Sequence, residues 1–277
     1  MGDRECVELL QWAMPRLGLR WRGFKGLRRQ VCRRVAGRVG ELGLDDLAGY
    51  RRRLEEDPDE LRVLDSLCFV TISRFYRDRR IFDALRGELL PRLASAAIAR
   101  GDRTLRAWSA GCASGEEPYT LSIIWHLELA DRFPSLAFEI LATDFDAIVL
   151  ARAARGCYEP SSLGELPGTF RAAAFEDIDD LACVAARFRD GVTFERRDVR
   201  RFAPAEPQDL VLCRNVAFTY FDEDAQRDFA DRVARCLAPG GLLVVGGHET
   251  LPPALLPGDI GLAPSAESPH VYVRTGP

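Results

Sequence analysis

A chain of 277 residues, 47% hydrophobic and 29% charged, has the length for one large domain or two unequal ones and the mixture of a globular protein. The net charge of -4 is small for that length, so bulk electrostatics does not single out nucleic acid as a partner. Acids among the apolar residues of segment 1–18 argue against a signal peptide, and apolar runs such as 240–247 are too short to span a bilayer. A cytoplasmic protein, not inserted in a membrane, is expected.

The chain up to about Asp78 reads as helical. Leu27, Val31, Val35, Val39 and Leu42 recur at helical spacing and form one apolar stripe. Gly43 separates this helix from another running through Leu47 and Tyr50 to Leu54. Arg20, Arg22, Lys25, Arg28, Arg29, Arg33, Arg34 and Arg38 share a stretch without a single acid, and Arg29 and Arg33 face away from the valines. Solvation is the ordinary meaning of such a face. Its functional meaning is a docking surface for an acidic protein. Nucleic acid is not expected there, because no aromatics are interleaved with the charges in the helix. A further amphipathic helix, 81–97, carries Phe82, Leu85, Leu89 and Leu93 on one side and links the two halves.

After Gly101 short strand-like runs alternate with helical ones, the pattern of an α/β domain with a parallel sheet and crossover helices. The strands read are 105–110, 138–143, 192–196, 210–213 and 242–246, with a closing hairpin strand at 271–274. Helices begin near Glu116, Ala147 and Asp222. Asp222 is a natural N-cap, and Pro239-Gly240-Gly241 is read as the turn ending the last helix. The stretch 158–190 fits no clean period and reads as an insertion at the sheet's edge. The eight cysteines (Cys6, Cys32, Cys68, Cys112, Cys157, Cys183, Cys213, Cys236) contain no CxxC pair, and only three histidines are present. No metal site is expected, and free thiols in a reducing compartment are.

The first α/β strand runs into Gly111-Cys112-Ala113-Ser114-Gly115 and then a helix opening Glu116-Glu117-Pro118. A glycine turn at the carboxyl end of the first strand is where open α/β sheets bind a nucleotide-like ligand. Glycine permits close approach to the backbone there, although a purely structural turn would look the same. The GxGxxG spacing of a pyrophosphate cradle is missing, which argues against NAD or FAD. Asp144, at the end of the second strand, offers both oxygens to the two hydroxyls of a ribose, and Asp146 suits the N-cap of the next helix. Glycine turn and acid together point to an adenosine-type cofactor.

Several longer motifs carry a resemblance. Residues 108–119 (WSAGCASGEEPY), Ala142-Thr143-Asp144-Phe145-Asp146, Cys213-Arg214-Asn215-Val216 and Gly246-Gly247-His248-Glu249 are similar, in order, to the CheR-type protein-glutamate O-methyltransferases of chemotaxis. Upstream, Thr71-Ile72-Ser73-Arg74-Phe75-Tyr76-Arg77 resembles that family's Asn-x-Thr-x-Phe-Phe-Arg segment. The resemblance implies a small all-α domain (1–78), a linker helix (79–104), and a Rossmann-like methyltransferase domain (105–277) with a small inserted β-subdomain at about 158–190. It implies S-adenosyl-L-methionine (SAM) as cofactor and S-adenosyl-L-homocysteine (SAH) as product.

Carried over residue by residue, the cofactor positions are Thr71, Ser73, Arg77, Gly111, Ala113, Gly115, Glu117, Asp144, Phe145, Asp198, Val199, Cys213, Arg214 and Asn215. Asp144 falls on the ribose and Asp198 near the adenine, where the family usually has asparagine. The catalytic positions are Arg77, Arg214 and Tyr220. Thr71 replaces the family's asparagine and Ser73 its threonine. The family's Cys-Arg-Asn-Val-x-x-Tyr-Phe is one residue longer here, so that Tyr220 is the match for the active-site tyrosine.

The implied chemistry needs no triad. A glutamate carboxylate, with a pKa of roughly 4.3, is ionised at neutral pH and requires no general base. Alignment and exclusion of water are the main tasks, and Arg77 or Arg214 can orient a carboxylate by a bidentate fork. His248 is expected to be a packed structural side chain. The acceptor is read as an acidic protein docked on the basic face, or a small carboxylate substrate or peptide in a biosynthetic pathway. A non-catalytic SAM-sensing docking module is the reading from another class.

Overall fold

The computed structural model describes residues 3–69, 73–255 and 261–275. The chain divides into two compact units, one of residues 1–71 with 219–226, the other of residues 72–218 with 227–277.

The first unit is helical, as the apolar spacing predicts. Its helices are α1 (Asp3–Ala13), α2 (Arg28–Glu41), α3 (Leu47–Glu56) and α4 (Pro58–Cys68). Val31, Val35 and Val39 are buried along α2. Asp46 and Asp57 cap α3 and α4 through their carboxylates, satisfying N–H groups that the first helical turn leaves without partners. The acid-free basic stretch is split by packing: Arg22, Lys25, Arg29 and Arg33 are exposed, whereas Arg34 donates to the Leu67 and Phe69 carbonyls and Arg38 forks onto Glu60. Segment 219–226 belongs here because Arg20 N–H donates to the Tyr220 carbonyl and Asp222 N–H to the Gly18 carbonyl. Gly23 makes this possible, since a Cβ would lie 2.2 Å from the Thr219 carbonyl oxygen.

The second unit holds the sheet. Its strands are β1 (Thr104–Ala110), β2 (Ala137–Asp144), β3 (Cys157–Tyr158), β4 (Phe175–Ile178), β5 (Leu181–Val184), β6 (Val192–Arg196), β7 (Gln208–Cys213), β8 (Leu237–Val245), β9 (Leu262–Pro264) and β10 (Val271–Arg274). Seven of them form one sheet in the order β6-β2-β1-β7-β8-β10-β9, parallel from β6 to β8, with β10 and β9 antiparallel. Strand order reverses between β1 and β7, so the carboxyl ends of those two strands flank the crevice where doubly wound sheets bind ligands. The interior strands are near-continuous apolar runs because helices cover both faces of a parallel sheet. All six residues of β7 are buried.

Three expectations are corrected. Helix 79–100, read as a linker, instead lies within the second unit: Phe82, Leu85, Leu89 and Leu93 are buried in its core with β1 and β7 residues such as Leu105 and Leu210. Pro239-Gly240-Gly241 does not end a helix. It forms an irregularity inside β8, where the pairing with β7 shifts between Gln208 and Leu210. Four of the eight cysteines are not free thiols. Cys6 and Cys32 join α1 to α2, and Cys157 and Cys183, register partners on β3 and β5, join the small three-stranded sheet β3-β5-β4. The other four, Cys68, Cys112, Cys213 and Cys236, are buried free thiols. The aperiodic stretch contains that small sheet, whose β4–β5 hairpin turns through Asp179 and Asp180, both at positive φ as a two-residue type I′ turn requires. Among the described residues, no helix is long and apolar enough to cross a membrane.

Candidate active site

The carboxyl ends of β1, β2, β7 and β8 gather the motifs. After β1 the backbone turns through three left-handed positions, Gly111 (φ 82°), Ala113 (φ 52°) and Gly115 (φ 92°). A Cβ on Gly111 would meet Val216 Cγ2 at 2.6 Å, and one on Gly115 would meet Ala153 Cβ at 2.9 Å. Both glycines are therefore required by packing as well as by φ. Non-glycine Ala113 is held in its uncommon conformation because its N–H donates to Asp144 Oδ2 at 3.0 Å.

Asp144 closes β2. Its second oxygen, Oδ1, accepts the Asp146 N–H at 3.0 Å, so neither oxygen is unoccupied, in contrast to the expectation that both stand free. A carboxylate has about four lone-pair sites, which leaves acceptor capacity on each oxygen. Burial pushes the Asp144 carboxyl above the usual carboxylate range, against the pull of these N–H groups. Asp146 caps the following helix (Ala147–Arg155) by accepting from Ile148 N–H, as expected. Phe145 is half-buried and its carbonyl accepts from Arg196.

Beside this turn lies a buried ionic cross-tie. The Arg214 side chain is 4% exposed. Its Nη1 donates to Glu117 Oε2 at 2.9 Å, and its Nη2 donates to Asp78 Oδ2 at 2.8 Å and to the Arg77 carbonyl at 2.5 Å. The guanidinium also lies over the Phe82 ring, 4.9 Å from its centroid. This corrects the reading of Arg214 as a fork for an acceptor carboxylate, since two of the protein's own acids already hold it. Glu117 is tied on its other oxygen by Ser109 Oγ at 2.6 Å. Asp78 would be pushed up by burial, but Arg214 and the Gly247 N–H together hold it below the usual carboxylate range.

Segment 73–78 reaches this edge through its own anchors. Phe75 N–H donates to the Ser162 carbonyl and Tyr76 N–H to Thr120 Oγ1. The buried Glu116 carboxylate accepts from Ser114 Oγ at 3.0 Å and is pushed up by burial, against the pull of the Ser73 and Ser114 hydroxyls. Glu116 was missed in the sequence, hidden beside the more obvious Glu117. Glu249 was missed as well: it is buried, and Oε2 accepts the N–H groups of Asn215 at 2.6 Å and Gly246 at 2.8 Å. That bond holds Asn215 at φ 57°.

The remaining candidates separate. Asp198 is engaged by Arg200, whose Nε and Nη2 fork onto it at 3.0 and 2.9 Å; burial would raise its pKa, but this partner lowers it. The carbonyl of buried Val199 accepts from Arg232. Cys213 is buried and its thiol is pushed up by burial. Tyr220 belongs to the first unit, where its ring packs 4.8 Å from Phe24 and 5.7 Å from Phe69. His248 is exposed, not packed as expected. Thr71 lies outside the described residues.

These residues fit an adenosine-type cofactor: the glycine turn has no room for side chains, and the adjacent carboxylate retains acceptor capacity. The family described as CheR methyltransferase, SAM binding domain, matches residues 71–256. A chemotaxis protein methyltransferase of Listeria monocytogenes is 33% identical over 234 residues, covering 84% of this chain and 85% of that relative. Chemotaxis protein methyltransferase 1 of Pseudomonas aeruginosa is 31% identical over 228 residues, 78% of this chain and 81% of its own. A probable biofilm formation methyltransferase, WspC, of the same organism is 32% identical over 222 residues, 79% of this chain and 51% of its own. The chain belongs to the CheR methyltransferase family and binds SAM.

Proposed function

We propose that this methyltransferase forms a methyl ester on a carboxylate, that of a glutamate side chain in a protein acceptor. The observation that carries the reading is the acid–base inventory of the site. Asp78, Glu117 and Glu249 are each tied to donors of the protein itself. Of the two histidines near these turns, His270 Nδ1 is engaged with the Glu249 carbonyl at 3.1 Å, and His248 is exposed. An acceptor that arrives already ionised suits such a site, because it needs no base to remove a proton.

SAM supplies a methyl group on a sulfonium that already contains its leaving group. The chain's tasks are then to bind, align and exclude water. Asp144 would accept from the ribose and the turn 111–115 would admit the cofactor to the backbone. Arg77 is the candidate for orienting the acceptor carboxylate, since Arg214 is taken by Glu117 and Asp78. The exposed residues Arg22, Lys25, Arg29 and Arg33 suit an acidic protein partner, a reading that the chemotaxis names of the relatives support.

A second reading, a small carboxylate or peptide acceptor, draws on Tyr220. Its loop is one residue longer than the family pattern, and its ring packs with Phe24 and Phe69.

Methyl-labelled SAM offered to candidate acceptors tests the ester. The expected product releases labelled methanol in mild alkali and forms with undiminished activity in a His248→Ala variant. Alkali-stable label overturns carboxylate methylation.

A further inference from the structure

Among the acids of this unit, Asp78 couples an uncommon backbone conformation to a carboxylate held by two distant segments. It occupies the left-handed region, φ 62° and ψ 58°, as the residue preceding helix Arg79–Ala84. A non-glycine residue is kept there only where its surroundings over-determine it, and such positions cluster at functional sites. The surroundings are specific. Oδ2 accepts both Arg214 Nη2 at 2.8 Å and the Gly247 N–H at 3.2 Å. The same Nη2 also holds the Arg77 carbonyl at 2.5 Å. Among the described residues Arg214 Nε is buried without a partner, and the guanidinium's hydrogen bonds run through Nη1 and Nη2.

We propose that Asp78 is a positioning residue of the cofactor site. Its carboxylate ties Arg214, at the end of β7, to the turn 246–247 after β8, and the shared guanidinium fixes the Arg77 backbone beside both. Glu117 holds the other arm of Arg214, so one cation between two acids links four segments: 77–78, the start of the helix after β1, and the turns after β7 and β8. The partners of the Asp78 carboxylate are Arg214 and the Gly247 N–H of the protein itself. It acts through Arg214 and Gly247, and the inference rests on the cofactor site rather than on the identity of the acceptor.

The test uses the full chain and SAH as probe, with affinity measured by calorimetry well below the melting temperature. Asp78→Asn keeps the side chain's size, and asparagine tolerates the left-handed region. It removes the charge that holds Arg214. SAH affinity is expected to fall roughly tenfold or more, the scale of losing a hydrogen bond between charged groups. Arg214→Lys, which cannot reach both acids as a planar fork, is expected to fall similarly, and the double variant no further than Arg214→Lys alone. Gly247→Ala probes the same tie from the other end, because its Cβ would meet Asp78 Cγ at 3.3 Å; its affinity is expected to drop with the Asp78 charge intact. Backbone amides of 73–78 and 246–247 are expected to exchange faster in Asp78→Asn.

Wild-type SAH affinity in a folded Asp78→Asn or Gly247→Ala overturns the proposal, as do losses that multiply independently in the double variant. A lower melting temperature with unchanged affinity would mean a purely structural role and overturns it too. Asp144→Ala is the control. If it loses SAH while Asp78→Asn does not, the cofactor site stands and only the role of Asp78 falls.

Discussion

Arg214 and Glu117, 97 residues apart in sequence, meet at 2.9 Å beyond the carboxyl ends of the neighbouring strands β1 and β7, with the arginine 4% and the glutamate 12% exposed. Removing one partner of such a pair leaves an uncompensated charge out of water.

Arg214→Met is therefore expected to destabilise the second unit by about 3–5 kcal/mol, because both Glu117 and Asp78 lose their cation at once. Arg214→Lys, which keeps one charge, should cost less. Denaturant melts of the two variants check the order. Equal stability of Arg214→Met and wild type would mean that the pair contributes nothing.

Gly111→Ala tests the turn. The substitution puts an L side chain at φ 82°, costing about 1–2 kcal/mol, and drives its Cβ to 2.6 Å from Val216. Both stability and SAM affinity should fall, read by thermal melting and calorimetry. Gly43→Ala, also at positive φ but with open space around its Cβ, separates the contributions: it should show the backbone cost alone.

Much of this arrangement was legible because it is local or periodic. The valine stripe of α2, the strands β1, β2, β6, β7 and β10, and the caps Asp146 and Asp222 follow from side-chain spacing and hydrogen-bonding type. The glycine turn and Asp144 are adjacent in space because β1 and β2 pair in parallel register, with Ala110 opposite Thr143. What sequence spacing could not show is contact between distant segments. Asp78, Arg214 and Gly247 meet only once β7 and β8 lie side by side, so the arginine read as facing the acceptor has its partners within the protein. Glu249 looks like a loop acid until Asn215 and Gly246 turn their N–H groups onto it. The short strands β3 to β5 carry no period because they are two to four residues long.

The two disulfides each close a sequence separation of 26 residues, and a loop of that length corresponds to about 3–4 kcal/mol in the chain-entropy description. Cys32→Ala and Cys183→Ala, or reduction with dithiothreitol, should therefore lower the denaturant midpoint. Cys68→Ala, a buried free thiol, should respond to its lost packing alone and show no change in its sensitivity to reductant. Mass analysis after alkylation of the denatured chain, without reductant, should find four alkylated cysteines and four protected ones. Eight alkylated cysteines would exclude both bonds.

Asp144 gives the site a pH dependence whose sign follows from burial. Its carboxyl is raised above the ordinary value because burial disfavours the charge, even with the Ala113 and Asp146 N–H groups in place. In the free protein the ionised form therefore costs stability; this cost is absent below the unfolded pKa and complete once pH has risen through the folded one. Binding reverses the preference. The ribose hydroxyls donate, and an ionised carboxylate is the better acceptor, so cofactor affinity should be full above the folded pKa and decline as pH falls through it. Asp144→Ala should lose roughly 1.5–3 kcal/mol of SAH affinity at neutral pH, the scale of hydrogen bonds to a charged group. Asp144→Asn should bind weakly with a flatter profile, because its amide cannot ionise. Calorimetric SAH titrations from pH 7 to 4 on wild type and Asp144→Asn make the comparison, and the cofactor's own titration cancels between them. If the two profiles run parallel, Asp144 is not the group that titrates, and the ribose assignment loses its electrostatic support.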